Sequence, residues 1–193
     1  VYGLDFGAHG LQLIVDLPHV GAIVDGDDEE RVGRLLRMIR DIVDDRAGRY
    51  AAVRAGSIRE YRERAQAPQE ARILLLVDGI AAFREAYEFS PSRLVGIFSQ
   101  IAADGRPLGV HVIITGDRPN AVPMSVASTI QRRLVLRLAS EDDYLLLNVD
   151  KDVLNAAPPP GGGMVDGNQA QVAIVGGNSN LAVQAREPAG LAE

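Results

Sequence analysis

The chain has 193 residues, no cysteine, 47% hydrophobic and 24% charged residues, and a formal net charge of −6. That length carries one good core, the absence of thiols excludes a disulfide framework and any thiolate metal site, and the acidic balance argues against a surface that grips nucleic acid by its overall field. No apolar run reaches the roughly 18 to 20 residues of a bilayer span, and the N-terminus lacks the basic-then-apolar pattern of a signal peptide.

In chain order, "VYGLDFG" opens as a strand over residues 1 to 6 with Asp5 and Gly7 at its end. A chain that starts on a strand with no leader is expected to be a piece of a longer protein. "HVGAIV" supplies a second strand, 20 to 24. It runs into an amphipathic helix in which Asp27 and Glu30 imitate a capping box and Val32, Leu35, Leu36, Ile39, Ile42 and Val43 fall at helical spacing. Arginines crowd residues 31 to 64 but are interleaved with acids, the pattern of a solvated helix laced with ion pairs. "AGS" at 55 to 57 interrupts that helix, "IREYRER" resumes it, and Pro68 closes it.

"ILLLVDG" then gives a third strand over 72 to 77, apolar enough to be buried on both faces, with Asp78 at its carboxyl end. In open α/β sheets ligands bind at that edge, and in P-loop NTPases an aspartate there holds the magnesium of the nucleotide. Taken alone, the same residues are better described as an acid opening a solvated "DG" turn, a common strand terminator. "SPSRLVGIFSQIAADG" reads as a helix with Ser90 as N-cap and Pro91 in its first turn, and "GVHVIITGDRP" as a fourth strand over 110 to 115. Further on, "SVASTI" is a short helix. "RRLVLRL" alternates with period two from Arg133 to Leu138, which puts Arg132, Arg133 and Arg137 on or beside a wet face. Ser140 caps a brief helix, and "GMVDG" and "QAQVAIV" are expected to form a terminal hairpin or two edge strands.

Strands alternating with helices predict an α/β fold, a mainly parallel sheet with helices on both faces. If the strands ending at Asp5, Asp78 and Thr115 lie side by side, their polar ends make one crevice. His9, His19 and His111 are isolated, with no second ligand at metal spacing, and aromatics total only 5%, so neither a histidine metal site nor a base-stacking platform is expected. No G-x-G-x-x-G follows the first strand, which disfavours a Rossmann-like enzyme.

Eight segments in order, "VYGLDFG", "LPHVGAIV", "ERVGRLLR", "SIREYRER", "ILLLVDG", "GVHVIITGDRP", "RLVLRLAS" with "DDY", and "PPGGGMVDGNQAQVAI", resemble the distal part of an FtsK/SpoIIIE-type ATPase domain. Among such domains they are most similar to the EccC-type modules of type VII secretion. The resemblance covers residues 1 to 176, leaving 177 to 193 as a tail. It implies a RecA-like P-loop NTPase core with a C-terminal β-hairpin and Asp78 as the Walker B-like, metal-holding acid. Thr115, Asp117 and Arg118 would form a sensor-like turn, with Asp5, Gly79, Pro160 and Gly161 beside the cofactor. The implied cofactors are ATP and Mg2+, and the implied partners are other ATPase modules of the same chain or ring, in a homo-oligomer when complete. The substrate would be a secreted protein or double-stranded DNA, and the location cytoplasmic, tethered to the inner membrane by other parts of a full-length protein.

The pattern has gaps. The Walker A sequence GxxxxGK followed by Ser or Thr occurs nowhere in the 193 residues, so the chain is expected to be the half that follows it and to bind ATP weakly on its own. Gly79 stands where FtsK-type motors carry a glutamate, although EccC-like modules often have glycine there too; Asp117 stands where the family's turn has an amide, and Gly162 where it has an arginine. Two functions follow as expectations: a motor module that moves protein or double-stranded DNA, and a degenerate, non-hydrolysing module that serves as a regulatory or substrate-docking platform.

Overall fold

The computed structural model describes residues 1–138, 140–149, 161–174, 177–178 and 180–184. It divides into two compact units, Val1–Thr115 and Gly116–Glu193, each described here by itself.

The first unit is built on four strands: β1 (Tyr2–Asp5), β2 (Ala22–Asp25), β3 (Ile73–Asp78) and β4 (Val110–Ile114). All pair in parallel, in the order β2-β1-β3-β4. The four strands expected from the apolar runs are therefore present, and they share one carboxyl edge. Register fixes that edge to the residue: Asp5 pairs with Asp25 on one side and with Asp78 on the other. Leu75 and Val77 are fully buried, whereas Leu74 and Leu76 are half-buried. β4, apolar at four of its five positions, forms an outer edge of the sheet and leaves Ile113 52% exposed.

Helix α1 (Glu29–Ala52) begins at Asp28, whose carboxylate accepts the Arg31 N–H at 3.0 Å, one residue later than the capping box expected at Asp27. Its buried stripe is Val32, Leu35, Leu36, Ile39 and Val43. Ile42, expected in that stripe, is only half-buried and lies on the flank of Met38. α2 (Ile58–Arg64) is capped by Ser57. After β3 the chain forms α3 (Ile80–Tyr87), too short for its period to stand out in the sequence, and then α4 (Leu94–Asp104). The N-cap of α4 is Arg93, held left-handed at φ 53°, not Ser90. The Ser90 hydroxyl instead donates to Glu29, 3.0 Å away, tying this loop to the start of α1. Phe83 is fully buried and sits edge-on to Phe6, Tyr87 and Phe98, with centroids 5.3 to 5.7 Å apart.

Charge also holds this unit together from within. Arg46 of α1 is 5% exposed; it donates to the carbonyls of Leu108 (2.9 Å) and Ala71 (2.7 Å), with Glu70 Oε1 2.9 Å from its Nε. Arg49 grips both Glu70 oxygens, at 2.9 and 3.1 Å, and its guanidinium lies over the Tyr61 ring, itself stacked on Tyr50 at 4.2 Å. Through Arg46 and Glu70, α1 is thus fastened to the segments that lead into β3 and β4.

In the second unit β5 (Leu134–Leu136), β6 (Gly162–Val165) and β7 (Asn168–Gln171) make an antiparallel sheet, with the short helices α5 (Met124–Ala127), α6 (Glu141–Leu146) and α7 (Leu181–Gln184). The expected hairpin is β6–β7, turning on Asp166 and Gly167, both at positive φ (50° and 79°), the conformation that a two-residue I′ turn requires. The phase of β5 is the reverse of the one the arginines suggested. Val135, which shares the parity of Arg133 and Arg137, is buried with Tyr144 and Met164, while Leu134 and Leu136 are each 44% exposed. Arg133 and Arg137 flank the strand and lie outside it, and Arg132 pairs with Asp166 at 3.4 Å. The Tyr144 hydroxyl accepts the Leu138 N–H at 2.7 Å, so the small core pulls the strand inward from its Val135 side.

The Glu70 network generates a stability prediction. Glu70→Gln leaves Arg46 buried beside a neutral amide and is expected to destabilise the chain by about 3 kcal/mol, the scale for breaking a buried pair from one side. Hydrogen bonding from Arg49 is the largest cause that holds the Glu70 carboxyl below its ordinary value of 4.5. Its contribution is therefore fully present above that value and is lost as pH falls through the lowered folded value. Urea melts at pH 7 should separate parent and variant widely, and the gap should close as the pH is taken down past 4.5.

Candidate functional site

The site is the carboxyl edge of the parallel sheet. Asp78, half-buried at the end of β3, points one oxygen at Thr115: the Thr115 hydroxyl donates to Asp78 Oδ1 at 2.6 Å and accepts the Gly79 N–H at 2.9 Å. Thr115 is placed by the sheet itself, since its N–H donates to the Val77 carbonyl and its own carbonyl accepts the Ile80 N–H, each at 3.0 Å. The other Asp78 oxygen, Oδ2, lies so close to Gly7 that a Cβ at Gly7 would fall 2.3 Å from it. Any larger residue there would push the carboxylate away.

Gly79 is a conformational requirement as well as a departure from the motor pattern. It caps α3 at φ 80° and ψ 57°, and a Cβ would lie 3.1 Å from the Phe6 carbonyl oxygen. A side chain at this position meets both left-handed strain and a backbone wall.

Asp5 plays a different part. It is 3% exposed, and its oxygens accept the N–H groups of Gly7 (3.1 Å) and Leu11 (3.0 Å). Its carboxylate is thus spent on shaping the loop after β1. Asp25, next in register, is an edge acid that the sequence reading passed over. His9 Nδ1 is 3.4 Å from its Oδ1 and the Gln12 amide donates to the same oxygen at 3.3 Å. The signal was available, because "IVDG" repeats the ending of "LVDG".

Asp117, Arg118 and Gly161 belong to the second unit. Asp117 and Arg118 are exposed, no ion pair joins them, and the Arg118 carbonyl accepts the Ala121 N–H at 3.1 Å as a 3-10 turn begins. Gly161 is at φ 85°, where its carbonyl accepts the Val172 N–H at 2.9 Å and extends the β6–β7 ladder. Pro160 lies outside the described residues.

A metal ion at this edge would find few protein ligands. Among the described residues no group of three His, Cys, Asp or Glu could hold one. A magnesium ion is commonly held by one or two carboxylates, with phosphate and water completing the octahedron. A single, well-placed Asp78 with one oxygen steadied by Thr115 fits that second kind of site. No helix among the described residues is long and apolar enough to cross a membrane.

Comparison with known proteins gives the family and the fold. The FtsK/SpoIIIE family model matches residues 1–154. The chain belongs to the FtsK/SpoIIIE family. Within it, the chain is 32% identical over 145 residues to ESX-4 secretion system protein EccC4 of Mycobacterium tuberculosis, covering 74% of this chain and 11% of that protein. It is 28% identical over 160 residues to ESX-1 secretion system protein EccCb1 of Mycolicibacterium smegmatis, covering 79% and 26%. The solved structure of Thermomonospora curvata EccC (ATPases 2 and 3), in complex with a signal sequence peptide, superposes with a TM-score of 0.82 at 25% identity. That match covers 98% of this chain and 35% of the other. The structure of EssC (ATPases 2 and 3) from Geobacillus thermodenitrificans superposes as well, with a TM-score of 0.82 at 19% identity; the fold is therefore that of the P-loop ATPase domains of EccC and EssC, and this FtsK/SpoIIIE chain spans about a quarter or less of the curated relatives cited here.

The Thr115 clamp can be tested directly. Thr115→Val removes the hydroxyl that bridges Asp78 and Gly79 and is expected to cost about 1 kcal/mol, whereas Thr115→Ser, which keeps it, stays within about 0.5 kcal/mol of the parent. Chemical denaturation of the three proteins side by side checks it.

Proposed function

We propose that this chain is the Walker B-bearing part of an ATP-driven translocase module, and that its cargo is protein, as in type VII secretion, in preference to double-stranded DNA. The observation that carries the reading is the Asp78–Thr115 pair at a shared strand edge, in a chain whose relatives are secretion ATPases. The acidic net charge favours the protein cargo. In this reading Asp78 would hold the magnesium of bound ATP, with Thr115 keeping Oδ1 from turning away and Gly7 leaving room for the carboxylate. Magnesium, when bound with the nucleotide, supplies the positive charge that offsets developing charge on the transferred phosphoryl group. Arg118 would meet a phosphate or a neighbouring module, since a planar guanidinium suits phosphate oxygens. The module would work on the cytoplasmic side of a membrane, within an assembly of similar modules.

A second reading rests on Gly79. The position where a base for the attacking water is expected has no side chain, and its backbone disfavours one. On that reading the module binds nucleotide without turning it over and serves as a regulatory or docking platform.

Two measurements bear on these readings. The 193-residue chain, which has no Walker A loop, is expected to bind ATP more weakly than about 1 mM, a free energy of no more than about 4 kcal/mol. Micromolar binding by calorimetry would show that the chain holds nucleotide without that loop. In the full-length protein that carries the loop, Asp78→Asn is expected to weaken magnesium-dependent ATP binding or turnover tenfold or more, about 1.4 kcal/mol, with a smaller change when magnesium is removed. Unchanged magnesium-dependent affinity and turnover would return Asp78 to the role of a turn residue. Weakened binding in the variant, together with zero turnover in the parent, would select the platform.

A further inference from the structure

Helix α1 has a second face. Beside the stripe that packs into the core, Arg34, Arg37, Met38, Asp41, Ile42 and Asp45 line a shallow, open depression along its outer side. Met38 is 37% exposed and Ile42 half-buried, so the floor is apolar and uncovered. Arg37 and Asp41 are exposed and form no ion pair with any described residue; the Arg37 guanidinium curls back toward Gly33, one turn away. Arg34 and Asp45 are held only by i,i+4 contacts to Glu30 and Arg49, at 2.9 and 2.7 Å, the exposed kind that contributes little.

The order of these residues matters more than their number. Both bases lie toward the N-terminal end of the face and both acids toward the C-terminal end, with Met38 and Ile42 among them. Reversing the helix about the midpoint between residues 39 and 40 carries Arg34 onto Asp45 and brings Met38 level with Asp41, one residue from Ile42 of the other copy. An identical face laid antiparallel therefore sets Arg34 against Asp45 at both ends; between them Arg37 falls level with Ile42 and Asp41 with Met38, so that Met38 of each copy lies one residue out of level with Ile42 of the other. A surface that complements itself under a two-fold rotation is what an isologous interface requires. A partner laid parallel would instead set Arg against Arg and Asp against Asp.

The geometry points to a second copy of this chain as the occupant: two α1 helices pack antiparallel through this face to form a two-fold dimer. The inference is independent of the nucleotide reading. A single helix face buries less than the roughly 1,200 Å² of a standard stable interface, so the dimer is weak and salt-sensitive.

Sedimentation equilibrium of the full 193-residue chain, from about 10 μM to about 1 mM, is expected to show a reversible rise toward twice the monomer mass, falling back in about 1 M salt. Two variants test the face itself. Arg34→Glu with Arg37→Glu makes it acidic throughout, and Asp41→Lys with Asp45→Lys makes it basic throughout. Each variant alone should remain a monomer, with helix content unchanged by circular dichroism. Mixed in equal amounts, the two should dimerise again, because each now carries the charge that the other lacks. A parent that stays monomeric to about 1 mM overturns the proposal. So does a dimer that survives in the all-acidic variant, or a mixture that fails to associate while both variants are folded. Should the basic variant not fold, the all-acidic variant mixed with parent decides: such a pair keeps one Arg34–Asp45 end and loses the other, so it should associate more weakly than parent with parent, and equal association overturns the proposal.

Discussion

Everything at the carboxyl edge depends on the parallel pairing of β1 with β3, which sets two aspartates, Asp5 and Asp78, directly opposite each other on adjacent strands. Neighbouring strands lie only about 4.8 Å apart, so two carboxylates there would repel unless each had its own donors. The structure divides them. Asp5 turns into the protein and is satisfied by two backbone N–H groups, and Asp78 stays at the surface with one oxygen held by Thr115. The buried acid fixes the loop that contains Gly7, and Gly7 in turn gives the exposed acid its space. A structural carboxylate and a candidate functional one are thus adjacent parts of a single arrangement.

The arginines of α1 follow a similar division. Arg34 lies in an exposed contact with an acid four residues away, as charge patterning leads one to expect, and such contacts add little stability. Arg46 is the exception, drawn inside to meet two carbonyls and Glu70, and Arg40 reaches Asp104 across to α4. Nothing in a run of evenly spaced arginines singles out position 46. Its burial follows from where α1 lies against the segments entering β3 and β4, which is tertiary information.

Strand positions and the acid at the end of β3 were legible because a continuous apolar run that stops at a polar turn, too short for a buried helix, fits little except an interior strand. Residue-level detail at the helix ends was not. Ser90 has a good N-cap side chain, yet its hydroxyl is claimed by Glu29 from 61 residues away, and the helix starts later at a left-handed arginine. The phase of β5 was misread because its arginines lie beside the strand, and the buried side is chosen by Tyr144 and Met164, remote in sequence. Thr115 was legible as part of the edge, but its bridging of Asp78 and the Gly79 N–H depends on the β3–β4 register. That α3 is a helix at all was hidden by its brevity.

The outer edge of β4 has a consequence for how the chain behaves before it is fully assembled. Among the described residues no other strand pairs with the outer side of β4, whose apolar Val112, Ile113 and Ile114 carry no proline, lysine or bulge to guard that edge. Natural sheets protect such edges because they are templates for strand addition. When refolded from denaturant, this chain should lose yield steeply with concentration, as β4 of one molecule recruits the like strand of the next. Dilution, or a single charge in place of Ile113, would then recover monomer more effectively than any change to the core.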